Sequence, residues 1–173
     1  KVDEKYTDAL KVAAGMNLQS VVTEDGSSAA KAIDFLKNKK LGRVRFLPIN
    51  KLRNYKPGAN SILIARQEEA IGFAIDLVEF EERYRDAFGN VFGDTVIMRS
   101  LKDAKNYLGK GRMVTLEGEL LERGGALVGG TVPKTILSFG GGERKKVDDL
   151  RIEIKQLERE YEELDLQRES LGN

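Results

Sequence analysis

The sequence predicts an α+β fold: two similar mixed α/β subdomains followed by a coiled-coil helix. Three observations carry that reading: an internal repeat, alternating helical and strand periodicities within each copy, and a heptad pattern towards the C-terminus. Val2-Asp3-Glu4-Lys5-Tyr6-Thr7-Asp8-Ala9-Leu10 returns as Phe80-Glu81-Glu82-Arg83-Tyr84-Arg85-Asp86-Ala87-Phe88, matched in charged, aromatic and small positions. Farther along, Gly42-Arg43-Val44-Arg45-Phe46-Leu47 returns as Gly111-Arg112-Met113-Val114-Thr115-Leu116.

The first subdomain (1–52) opens with the charged Val2 block as a helix, turns at Gly15 and enters an apolar strand-like run over Ser20 to Thr23. A helix follows from Ser28 to Asn38, with Ala29, Ala32, Ile33 and Leu36 on one stripe and Ser27 as its N-cap. Residues 53–69 connect the copies. Asn54, Pro57-Gly58 and Asn60 make Arg53 to Ser61 a loop, and the apolar run Ile62-Leu63-Ile64-Ala65 reads as a short strand. The second subdomain (70–139) repeats the order, with a turn at Gly93, a strand over Thr95 to Met98, and a helix from its N-cap Ser100 to Leu108. Apolar Ala70 to Glu79 precedes that copy and has no counterpart before Val2, so the chain is expected to begin inside a domain.

Residues 140–173 comprise the break Gly140-Gly141-Gly142 and a charged helix opened by Arg144-Lys145-Lys146. There Val147, Leu150, Ile154, Leu157, Tyr161, Leu164 and Leu171 occupy the a and d positions of one heptad frame, with Arg168 the polar exception. Such a seam needs a partner helix. An amphipathic helix packed on its own domain is the alternative.

Composition narrows the function. The 173 residues contain no Cys, His or Trp, which removes disulfides, thiolate nucleophiles, imidazole catalysis and Cys/His zinc sites. The 29 basic and 28 acidic residues leave a net charge of +1, so attraction to nucleic acid would have to come from a local patch. No apolar run is long enough to span a bilayer, and a soluble cytoplasmic protein is expected.

Neither glycine cluster has the spacing of a phosphate-binding loop, and no dinucleotide fingerprint opens a helix. Gly124-Gly125-Ala126-Leu127-Val128-Gly129-Gly130 instead reads as a short apolar strand flanked by paired glycines, suited to add to the edge of another sheet. Lys37, Lys39, Lys40, Arg43 and Arg45 cluster at a helix end and the strand after it, where they could touch a phosphate backbone without reading sequence. The carboxylates at Glu24-Asp25, Glu79 to Glu82 and Glu117 to Glu122 alternate with bases, as on a solvated face; a carboxylate-dependent metal enzyme is the weaker alternative.

These residues resemble the hinge domain of the structural maintenance of chromosomes (SMC) family over Val2 to about Thr131. The carriers are Val2 to Tyr6, Asn38 to Pro48, Asp76-Leu77-Val78 with Glu82-Arg83-Tyr84, and Val114 to Leu120 running into the paired glycines. The resemblance implies a non-enzymatic hinge that interrupts an antiparallel coiled coil and pairs with a second hinge as a ring-shaped dimer, by strand addition at Gly124, Gly125, Gly129 and Gly130. It also implies weak, sequence-independent DNA binding, a chromosome-associated location and no cofactor. The coil strand that should precede the first subdomain is absent from these residues. DNA binding through the basic patch as the main activity is the rival reading.

Overall fold

The computed structural model describes residues 1–53 and 55–130, together with Ile154. Lys1–Leu137 forms one compact unit and Ser138–Asn173 another. Of the heptad seam, Ile154 is helical and exposed, while Val147, Leu150, Leu157, Tyr161, Leu164 and Leu171 lie outside the described residues, as do residues 131–142.

In the first unit the elements run α1 (Thr7–Ala14), β1 (Val21–Thr23), α2 (Gly26–Lys39), β2 (Phe46–Pro48), α3 (Ala59–Ala65) and β3 (Ala70–Phe73). They continue as α4 (Arg85–Phe92), β4 (Val96–Met98), α5 (Leu101–Ala104), β5 (Met113–Thr115), β6 (Leu120–Leu121) and β7 (Leu127–Val128). Two sheets result. One pairs β1 with β2 in parallel; the other runs β3-β4-β5-β6-β7, parallel only between β4 and β5.

The repeat is present in backbone detail. A 3-10 turn precedes each leading helix, Glu4–Tyr6 before α1 and Glu82–Tyr84 before α4. In each turn a cation sits over the following tyrosine ring, Lys5 over Tyr6 at 4.7 Å and Arg83 over Tyr84 at 4.6 Å. The leading helices end on Gly15 and Gly93, at φ +52° and +55°, a conformation that suits glycine because it has no Cβ to clash. The equivalent residues Lys1 and Glu79 face each other: the Lys1 amino terminus donates to the Glu79 carbonyl at 2.6 Å and the Glu79 N–H donates back at 2.8 Å. The two copies thus meet through an antiparallel contact of equivalent residues.

The strand hydrogen bonds correct the register read from sequence. The Val21 N–H donates to the Arg45 carbonyl at 2.9 Å, and the Val96 N–H donates to the Arg112 carbonyl at 3.0 Å. Phe46 therefore matches Met113, and Gly42 matches Gly109 in place of Gly111. Both matched glycines are left-handed, at φ +86° and +79°.

Three local expectations also change. Ile62-Leu63-Ile64-Ala65 is the body of α3 and not a strand. Asp25, not Ser27, caps α2, accepting from the Ser28 N–H at 2.7 Å. The helix after Ser100 is α-helical only over α5 and continues as a 3-10 turn, Lys105–Tyr107; Ser100 is its N-cap, accepting from the Asp103 N–H.

Side-chain alternation on β4 and β5 divides the core into two layers. On one face Val96, Met98 and Met113 cluster with Ile64 of α3, Ala104 of α5 and Leu121 of β6, all at most 2% exposed. On the other, α1 packs against β5, burying Ala9, Leu10, Ala13 and Ala14. The leading helix of the first copy thus completes the core of the second. In the first copy, by contrast, the outer edge of β1 carries no strand among the described residues, and Val21 and Val22 are exposed.

Candidate dimerisation surface

The glycine-rich segment predicted as an interface lies at the far edge of the five-stranded sheet. Leu127 and Val128 form β7, paired among the described residues only with β6, through Leu121↔Leu127 and Leu120↔Val128. Directly paired residues share a sheet face. Leu121 is fully buried, whereas Leu127 beside it is 51% exposed and Val128 56% exposed. Among the described residues, the apolar layer under the sheet therefore runs to a border that no further strand covers.

The four glycines do different work. The Gly125 N–H donates to the Glu122 carbonyl and the Glu122 N–H to the Ala126 carbonyl, a tight hairpin in which Gly125 takes φ +85°. Gly130 is also left-handed, at φ +126°. Gly124 and Gly129 have no such backbone demand. A Cβ on Gly124 would meet nothing within 4 Å, and one on Gly129 would make an ordinary 3.5 Å contact with Glu119 Cγ. Among the described residues, no contact explains why these two positions lack side chains.

A carboxylate anchors the hairpin. Asp94, next to Gly93, accepts from the Ser61 hydroxyl at 2.7 Å and the Gly58 N–H at 3.1 Å, and pairs with Arg123 at the hairpin's base. Burial pushes its carboxyl up, but the hydrogen bonds from Ser61 and Gly58 and the Arg123 charge outweigh that and hold it below the usual carboxylate range. Gly58, Ser61, Asp94, Lys110 and Arg123 line a recess of about 370 Å³.

Lys37, Lys39, Lys40 and Arg43 are exposed at the end of α2, with no ion pair among the described residues. Arg45 is different: its guanidinium donates to Asn17 of its own copy and to Asn90 of α4 in the other. Charge clustering could not separate a committed cation from free ones. Four of the glutamates are engaged as well, with Glu81 on Arg83, Glu82 on Arg85 and Glu122 on Arg112, and Thr115 donating to Glu119. No group of three or more metal-ligating side chains occurs among the described residues, nor does any helix there have the length and apolarity to cross a membrane.

Residues 1–108 match the model of the SMC proteins flexible hinge domain. The chain belongs to the SMC hinge family. It is 44% identical over 161 residues to a chromosome partition protein Smc from Gloeobacter violaceus, covering 92% of this hinge and 14% of that protein. The corresponding Pyrococcus furiosus protein is 43% identical over 129 residues, covering 74% of this hinge and 10% of its own length. This hinge therefore spans a small part of those relatives. Among solved structures, the Pyrococcus furiosus SMC hinge domain aligns with a TM-score of 0.63 at 39% identity, over 79% of this hinge and 74% of that chain. An asymmetric dimer of the Geobacillus stearothermophilus SMC hinge domain aligns at 0.69 and 26% identity, over 92% and 65%.

Proposed function

We propose that this hinge is the dimerisation module of a chromosome partition ATPase of the Smc type, joining two coiled-coil arms by pairing with a second copy in a ring-shaped dimer. The observation that carries the reading is the border at β7, where exposed apolar side chains, an edge that no further strand covers among the described residues and two glycines that no contact among those residues requires coincide. The dimer reported for the Geobacillus hinge supports it. The role is mechanical, with catalysis assigned to parts of the parent protein outside this chain. The heptad segment from Val147 to Leu171 would pair with the coil strand that precedes the hinge in such a protein.

Sedimentation equilibrium tests the interface. Gly124→Val with Gly129→Val adds side chains the isolated chain can hold, so a folded monomer is expected; a double variant that dimerises like the parent overturns the reading. Gly125 and Gly130 are poor test sites, because their left-handed φ makes any substitution strain the fold itself.

A second activity, weak binding to a DNA backbone, is favoured by Lys37, Lys39, Lys40 and Arg43, which are exposed and unpaired among the described residues. Arg45 is not included, since its guanidinium is occupied.

A further inference from the structure

The strand at the docking edge is too slight to hold itself. β7 is two residues long, as is its neighbour β6, and a hairpin of that size is marginal alone. It is reached through Gly124-Gly125, two positions with no side chain to pack and with the most backbone freedom to lose. The placement of the edge is therefore set by what grips the base of the hairpin, Glu122 and Arg123.

Successive residues of a strand face opposite sides of a sheet, and these two are gripped from opposite sides. The register Met113↔Leu121 continues to a row in which Arg112 lies opposite Glu122, and their side chains pair at 3.5 Å. Arg112 is itself anchored, donating to the Ala13 carbonyl of α1 at 2.9 Å and to the Thr95 hydroxyl at 2.6 Å. Arg123 shares the face of buried Leu121 and pairs with Asp94, which accepts from the Ser61 hydroxyl and the Gly58 N–H. On one face a held cation grips an anion; on the other a held anion grips a cation. The Glu122 backbone carries the grip into the hairpin, its N–H donating to the Ala126 carbonyl at 2.8 Å and its carbonyl accepting from the Gly125 N–H at 2.9 Å.

In both pairs the anchor is the more enclosed partner, with Arg112 26% and Asp94 13% exposed, against 42% for Glu122 and 59% for Arg123. Pairs this open to water add little to folding. Their effect falls on where the hairpin sits.

We infer that Glu122 and Arg123 are positioning residues for dimerisation: clamped from opposite faces, they hold β7 in place to receive a second copy, and they tie that edge to α1 and to the start of α3. The inference rests on the dimerisation reading of the proposed function and names the residues that preorganise its edge. An edge fixed before contact has less freedom to lose on association, so releasing the clamps weakens pairing even with Leu127 and Val128 intact.

The test is sedimentation equilibrium of the full chain, with circular dichroism as the check on fold. Glu122→Gln with Arg123→Gln removes both clamps but leaves Arg112 on Ala13 and Thr95, and Asp94 on Ser61 and Gly58; the dimer dissociation constant is expected to rise about tenfold in a folded protein. Arg123→Gln and Asp94→Asn should each weaken dimerisation, and together no more than the stronger of the two, because both break the same clamp. Additive effects would mean that Arg123 acts on the second copy directly, and refute the positioning role. So would a Glu122 and Arg123 double variant that dimerises with the parent constant, while the dimerisation reading itself stands. Should that double variant fail to fold, the Arg123 and Asp94 cycle decides alone. A parent chain that stays monomeric overturns the dimerisation reading and the positioning role with it.

Discussion

Replacing Asp94 with alanine removes one carboxylate that joins the turn after α4 and the base of the β6–β7 hairpin, both in the second copy, to the start of α3 in the connecting segment. Its side chain is 13% exposed, so water does not readily take over its role. Ser61 is 2% exposed; leaving its hydroxyl without an acceptor costs about 1–3 kcal/mol. Gly58 is at the surface, where water can receive its N–H, and that loss is about 0.5–1 kcal/mol. Arg123 is largely exposed and its pair adds at most about 1 kcal/mol. Asp94→Ala is thus expected to destabilise the protein by about 2–4 kcal/mol. Urea unfolding at fixed protein concentration would show the midpoint falling with an unchanged m-value. A shift under about 0.5 kcal/mol refutes the argument.

The same carboxylate has a pH signature. Its folded pKa is depressed below the ordinary 3.8, so its contribution is fully present above that value. It is lost as pH falls through the lower folded value. Asp94→Asn keeps an acceptor but cannot titrate, so this part of the acid sensitivity should vanish while neutral-pH stability drops less than in the alanine variant.

Other predictions separate residues that the sequence leaves alike. Arg112→Ala should cost about 2–3 kcal/mol in thermal or urea unfolding, since the fully buried Thr95 hydroxyl and the Ala13 carbonyl lose a charged donor, whereas Arg43→Ala should be near neutral. Asp25→Ala should lower stability measurably through loss of the α2 cap, with Ser27→Ala close to silent in the same assay. Gly89→Ala should destabilise by about 1–3 kcal/mol, because the new Cβ would lie 2.4 Å from Tyr55 Cβ; differential scanning calorimetry at parent-like stability would contradict the packing.

The duplication was legible because the leading helices keep charge, aromatic and small positions in step, and because Gly15 and Gly93 are demanded by backbone conformation. The strand register was misread for a physical reason. The Gly-Arg pairs at 42–43 and 111–112 match as letters, but the backbone uses the left-handed glycines 42 and 109. A second departure is α3, a short apolar run rich in β-branched residues whose period cannot separate helix from strand. Its start is held by Asp94, distant in sequence, so the deciding information is tertiary. The edge strand was visible in the glycine-flanked Leu127-Val128, whereas the status of Arg45 depends on Asn17 and Asn90, which no charge pattern reveals.

The exchange of contacts between the two copies bears on how the protein folds and fails. α1 is encoded with the first copy but buries Ala9, Leu10 and Ala13 on the second, and Arg45 and Arg112 each reach into the opposite copy. Neither half is therefore a unit of stability, although each is a unit of sequence. Severing the chain between the copies would expose both sides of the shared layer at once. Slow amide exchange in α1 and β5 should be lost in a single cooperative opening, as in one foldon and not two.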